Sequence, residues 1–156
     1  MMSAVEAALQ EQVAVGNVKL NFFTFNLTFL AAAPGAITPQ SFQISNNMNF
    51  LLQYITGAVY QPAGTNIPSP DLLVALQDNS SGWLYSDSPV HWLQTVGNAQ
   101  FPFILPEPKL IPSNASIQCK LTNNSAVTFA RVDLCLMGVQ VFTYNGFDIY
   151  DLPVVG

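Results

Sequence analysis

Ionised side chains are scarce in this 156-residue chain, at 8% of residues against roughly 25% in ordinary soluble domains. From Leu20, just after Lys19, to Pro70, just before Asp71, 51 residues pass without Lys, Arg, Asp, Glu or His. Four cations stand against nine carboxylates, for a net charge of −5. That argues against a sequence-independent nucleic-acid binder, which needs Lys and Arg to displace counterions from phosphates. It disfavours anionic membranes for the same reason. With one histidine and no Cys-x-x-Cys, an ordinary zinc site is not expected. No apolar run reaches the ~18 residues a membrane helix needs. The opening MMSAVEAALQEQVAV lacks a basic segment and carries Glu6 and Glu11, so it does not read as a signal peptide, and cytosolic synthesis is expected.

Catalytic signatures are also missing. There is no Gly-x-Ser-x-Gly elbow, Walker loop, Gly-x-Gly-x-x-Gly or EF-hand pattern, and no self-similarity at the period of solenoids or propellers. His91 has Asp87 four residues before it, a spacing that permits contact on a helical turn, but no recognisable nucleophile. Asp148 and Asp151 lie close together in a tail that reads as solvated, not as the enclosed cleft that paired-carboxylate catalysis needs. The chain is expected to be no enzyme and to carry no cofactor or metal.

Half the residues are hydrophobic, with 11 Phe, and the missing charge is replaced by 13 Asn, 11 Gln, 11 Ser and 9 Thr. Neutral polar groups can be taken out of water at far lower cost than ions. The length fits one domain, expected over 16–156, preceded by an arm over 1–15. In the arm, Ser3 and Glu6 have capping-box spacing, and Val5, Ala8, Leu9 and Val13 form a helical apolar stripe. So short a helix needs a support, either its own domain or a neighbouring subunit.

From Gly16 the period becomes two. Val18, Leu20 and Phe22 alternate with polar residues, then Phe23, Phe25, Leu27 and Phe29 do so in the opposite phase. A slip at Phe22–Phe23 predicts a β-bulge or sheet-switching bend; two separate strands are the alternative. Strands are expected over 41–45 and 49–60. The second is apolar on both parities, including Tyr54 and Tyr60, and is therefore expected to be covered on both faces. Further strands are expected over 71–79 and at Trp83–Tyr85. A short helix capped by Ser88, with Pro89 at its first position, should follow. The segment 98–108 carries Pro102, Pro106 and Pro108, which confines it to a sheet edge. Ala115, Ile117, Cys119 and Leu121 alternate strictly, Asn123-Asn124-Ser125 turns the chain, and Ala130, Val132, Leu134 and Leu136 share one face, which predicts a β-hairpin. About eight strands with turn signals between them predict an all-β fold, a two-sheet antiparallel β-sandwich or jelly roll.

The two cysteines, Cys119 and Cys135, lie in predicted strands; free thiols are expected, with a disulfide left open. Trp83 and Trp92, near Asp78 and Asn79, are candidates for stacking on sugar rings, against the reading that both are core or interface aromatics. The residues best suited to contact with other chains are Val5, Leu9 and Val13 of the arm, Tyr54 and Tyr60 of 49–60, and Phe101 and Phe103 of the Pro-rich edge.

The stretch FPFILPEPKLIPSNASIQCKLTNNSAVTFARVDLCLMGVQVF combines an apolar strand, a Pro-bounded turn, an Asn-Asn-Ser turn and a strand ending Leu-Met-Gly-Val-Gln-Val-Phe. It resembles small virion proteins of tailed bacteriophages, especially jelly-roll cement or decoration proteins. That resemblance implies a homo-oligomer, dimer or trimer, made in the host cytoplasm, that sits on the capsid exterior and binds the major capsid protein across subunit junctions. A carbohydrate- or receptor-binding β-sandwich module, or a tail or collar component, is the alternative.

Overall fold

The computed structural model describes residues 2–152. Helix α1 (Ala4–Ala14) leads into β1 (Val18–Ala32), β2 (Ile37–Gln43), β3 (Asn49–Tyr60), β4 (Leu72–Asp78), β5 (Trp83–Leu84) and β6 (Val90–His91). The one-turn helix α2 (Trp92–Thr95) precedes β7 (Phe103–Ile111), β8 (Ser116–Asn123) and β9 (Phe129–Thr143), and a 3-10 turn spans Ile149–Asp151. The strands form two antiparallel sheets, as the alternation predicts. The first has the order β1-β9-β3-β7; the second has the order β2-β8-β4-β5, with β6 also on β4.

The pairs β1–β9, β2–β8, β3–β7 and β4–β5 run through the chain like the two edges of one ribbon. The ribbon's tip is the Asp78–Gly82 turn, closed by the Asp78 carboxylate accepting from the Ser80 N–H and the Ser81 hydroxyl, both at 2.8 Å. Successive pairs alternate between the sheets, which makes the sandwich a jelly roll.

This wrapping corrects the expected hairpin. β8 pairs with β2 and β4, whereas β9 pairs with β1 and β3, so residues 124–128 arch from one sheet to the other. Strict alternation states which face of a strand is buried, not which strand lies beside it. Ile117, Cys119 and Leu121 meet Val132, Leu134 and Leu136 across the core, not along one sheet.

The Phe22–Phe23 slip is not a bulge either: β1 pairs with β9 in unbroken register from Val18 to Leu30. The strand instead changes which face it buries. Val18 and Leu20 join Val5, Leu9, Leu51 and Val141 in a second core beneath α1, on the outer side of the first sheet. Leu27 and Phe29 face the other sheet, and Phe25 stacks on Phe42 with ring centroids 4.2 Å apart. The bulge lies in β3, where the register shifts between Leu52 and Tyr54 against both β7 and β9. It lets β3 bury Leu51 under the helix, then Leu52, Ile55 and Val59 between the sheets. Gly138 of β9 is required there, because a Cβ would lie 1.9 Å from the Leu51 carbonyl oxygen.

The predicted short helix also starts later than expected. His91, not Ser88, caps it, with Nδ1 accepting the Leu93 N–H at 3.4 Å. The strand expected over 41–45 begins earlier, at Ile37, with Pro39 inside it; β2 is an edge strand, where a missing N–H is tolerated. β7, with Pro106 and Pro108, occupies an edge as expected.

One buried amide joins the crossings at one end of the sandwich. Asn123, with no exposed surface, donates to the carbonyls of Ala32 and Val127, each at 2.7 Å. Its Oδ1 accepts from the Ser125 N–H at 2.9 Å and the Ser125 hydroxyl at 2.7 Å. Its backbone is bonded to Ala36 and Gly35. The β1–β2 and β8–β9 arches are thereby held together, next to Ala31 at φ +51°. Asn123→Ala removes these partners at once and is expected to cost about 2–4 kcal/mol. Urea denaturation measures it, and a loss below ~1 kcal/mol would show that the arches hold without the amide.

Candidate interaction surface

The arm covers only part of the first sheet's outer face. Its capping box forms as the sequence predicts: the Ser3 N–H donates to Glu6 at 2.7 Å, and the Glu6 N–H donates to the Ser3 hydroxyl at 3.2 Å. The bulged residue Gln53 donates its amide to the same carboxylate, which ties the helix to β3. Val5 and Leu9 are buried by this docking, so they are not available as surface contacts; Val13, 38% exposed, remains outside.

Beyond the arm the face lies open. Cross-strand neighbours run in rows: Thr24, Met137, Tyr54 and Ile104; then Asn26, Cys135 and Thr56; then Thr28, Asp133 and Ala58; then Leu30, Arg131 and Tyr60. Its two charges cancel, since Arg131 and Asp133 are paired at 2.6 Å. Thr28 donates to Asp133 at 3.0 Å, and the Arg131 guanidinium lies 5.1 Å from the centroid of the Tyr60 ring. Hydrogen bonding to Asp133 and its charge raise the Arg131 pKa, so the guanidinium of the pair stays ionised. Here the charge-free run of β1 and β3 is displayed on both sides of β9. Tyr54 and Tyr60 are half-buried within this face, Phe101 is 70% exposed ahead of β7, and Phe103 turns inward to pack on the core.

The cysteines are both free thiols on different layers. Cys119 lies between the sheets, where burial pushes its pKa up to about 12. Cys135 lies on the outer face, contacts Asn26 Oδ1 at 3.4 Å, and is raised by partial burial and by Asp133 against a hydrogen bond from Thr56.

Trp83 and Trp92 do not form the joint platform. Trp92 is buried over Gly57, whose added Cβ would come within 2.6 Å of the indole. The Gly57 and Gly97 backbones fix it there, Gly57 N–H donating to Gly97 at 3.0 Å and Gly97 N–H to Ile55 at 3.1 Å. Trp83 is 67% exposed and borders a hollow of about 330 Å³ with Tyr85, Tyr150, Asp78, Ser81 and Glu107. Burial, then the nearby Asp78, raise the Tyr85 pKa to about 12.

His91 faces Asp71, 3.4 Å from Nε2, and not Asp87, for which the spacing permitted a contact. With Nδ1 accepting from Leu93, Nε2 carries the proton toward that carboxylate. Asp148 caps the 3-10 turn by accepting the Tyr150 N–H at 3.0 Å. Among the described residues no three His, Cys, Asp or Glu side chains converge on a metal position. A separate apolar hollow of about 380 Å³ opens between the sheets near β7, lined by Leu52, Ile55, Leu76, Phe103 and Leu105, with Glu107 and Lys109 among its borders.

Among the exposed apolar residues not expected as contacts are Phe22, Leu30, Ile37 and Ile104, all on edge strands and 64–68% exposed. For Phe22 and Leu30 the signal was the absence of any charge after Lys19 in β1. Compared with protein-family models, with curated proteins and with solved structures, the chain matches none.

Burial works to raise the Glu6 carboxyl, but the hydrogen bonds from Ser3 and Gln53 outweigh it and hold the pKa below the ordinary 4.5. A native pKa below the unfolded one means that this contribution is complete above ~4.5 and is lost as pH falls through the native value. Protection factors in α1, taken relative to the intrinsic exchange rate at each pH, are therefore expected to fall on acidification more steeply than those in β9. Glu6→Gln keeps an acceptor but no titration and should flatten that difference; identical profiles for the two proteins would exclude Glu6 as the group responsible.

Proposed function

We propose that the chain is a structural virion protein that works by adhesion, a cement or decoration protein that associates with itself and covers junctions of the major capsid protein on the capsid exterior. The observation that carries this reading is the open outer face of the first sheet, four strands wide, half apolar, with its one ion pair internally cancelled. Permanent contacts deplete charge and enrich aromatics, and an apolar face of this kind is otherwise a liability in water. The jelly roll recurs in viral capsid and lectin domains, which agrees with this reading but does not assign it. The 101–142 stretch, with its resemblance to decoration proteins, points the same way.

Virus particles purified from cells that make the chain should retain it at a fixed copy number through a density gradient. Thr56→Glu, which puts a carboxylate in mid-face, should fold with an unchanged near-ultraviolet spectrum and bind depleted particles at least about tenfold more weakly. Particles devoid of the chain would end the proposal.

A second reading, a carbohydrate- or receptor-binding module, rests on the Trp83 hollow, where aromatic rings and the polar groups of Asp78, Ser81 and Glu107 meet. On a glycan array, Trp83→Ala should lose about tenfold in any binding that depends on ring stacking. Trp92→Ala should instead lose about 3–5 kcal/mol of stability, since its indole is core. An array on which neither protein binds removes this reading.

A further inference from the structure

The two sheets present several edges, and all but one are protected against pairing with another chain. β7 carries Pro106 and Pro108 with Glu107 and Lys109 between and beside them. β2 has seven residues and contains Pro39; β5 and β6 have two residues each. Short length, proline and charge are the devices that keep strand edges from acting as templates. β1 has none of them beyond a single terminal Lys19. It is 15 residues long, has no proline and no carboxylate, and runs in unbroken register with β9 as far as Leu30. In an antiparallel ladder every second residue turns its N–H and C=O away from its partner. Among the described residues, no hydrogen bond outside the ladder with β9 reaches the backbone of residues 18–30.

We infer that β1 is a self-pairing edge, on which a second copy of this chain docks its own β1 antiparallel across a two-fold axis to join two four-stranded sheets into one of eight. A second copy necessarily brings an open edge of equal length and the same alternation, so outer residues meet outer residues along the whole strand. Charge agrees. The antiparallel arrangement places the two Lys19 ammoniums at opposite ends, and no other ionised group lies on the strand, so chains of net charge −5 meet where neither carries a carboxylate. Area agrees too. At a rise of ~3.3 Å per residue the edge is roughly 50 Å long, and a strip about 10 Å wide buries on the order of 1,000 Å² in total, the threshold for a specific interface. Phe22, 66% exposed, and Phe23, 38% exposed, flank the open edge and become covered by the pairing.

This deepens the assembly reading above and takes from it only the biological setting, because self-pairing is measured on purified protein without particles. Light scattering after size exclusion of the full chain should give a dimer at micromolar concentration. Hydrogen exchange on that dimer should protect consecutive amides through the middle of β1. A lysine at the exposed Asn26, close to its own symmetry mate, should raise the dimer dissociation constant at least about tenfold, and the same charge at Ser41 on β2 should not. A monomer at those concentrations overturns the inference. So does a dimer whose β1 amides alternate between fast and slow exchange, since it would then use another surface; that reading requires no variant.

Discussion

A jelly roll is wound by carrying the chain from sheet to sheet, and each crossing takes backbone groups out of a ladder while leaving them away from water. At the end formed by residues 32–36 and 123–127 that problem is met by one side chain. The Asn123 amide supplies two donors to the carbonyls of Ala32 and Val127 and one acceptor to Ser125, with nothing left over. In a low-dielectric interior such a network is favourable only when complete. It therefore specifies the geometry as well as stabilising it. By fixing where β1 leaves the first sheet and where β9 enters it, Asn123 sets which side of each strand faces inward, and so which residues are displayed outside.

The charge deficit follows from that display in two different ways. The second sheet shows Ser116, Gln118, Lys120 and Thr122 outward along β8, a polar surface with one cation that water can solvate. The first sheet shows Tyr54, Met137, Ile104, Cys135 and Leu30 among threonines, with Arg131 and Asp133 cancelling each other. Both faces are poor in ions, yet water serves one better than the other. α1 already covers a third region of similar chemistry, where Leu20, Leu51 and Val141 meet Val5 and Leu9. The chain thus buries one part of its outer apolar surface with its own helix, and the adhesive reading concerns what the helix leaves open.

How much of this was legible depended on the range of each signal. Ser3 and Glu6 named the helix start because a capping box is local, and the alternation of β8 and β9 named their buried faces. The same alternation could not separate a hairpin from an arch, because periodicity carries no information on the neighbouring strand; Asn123 reads as a turn residue in either case. Phe22–Phe23 suggested a bulge because a phase slip and a change of covering layer leave the same pattern. The bulge at Gln53 had its trace in the double-sided Leu51-Leu52 and Tyr54-Ile55 pairs, and Gly138, which makes room for it, sat unexplained in an otherwise apolar run. Trp92 was ambiguous until Gly57 supplied the gap it fills. For His91, sequence spacing offered only Asp87, since Asp71 comes near it through the β4–β6 pairing. Site residues were the least legible, because exposure is decided by layers that the local sequence does not name.

The distribution of protection along the sheet edges shows why so few charges need not mean indiscriminate sticking. Aggregation by strand addition requires two open edges, so that each added copy leaves another free. Here the first sheet ends in β1 on one side and in the proline-bearing β7 on the other. A chain with one usable edge stops at two copies, because pairing removes the site that made it possible. The outer face is a different surface, perpendicular to that direction, and contacts made through it leave the edge pairing undisturbed. In the proposed assembly, one edge sets a closed pair and one face sets what the pair adheres to. Neutral side chains then lower the desolvation cost at both surfaces without the charge repulsion that limits packing of like subunits.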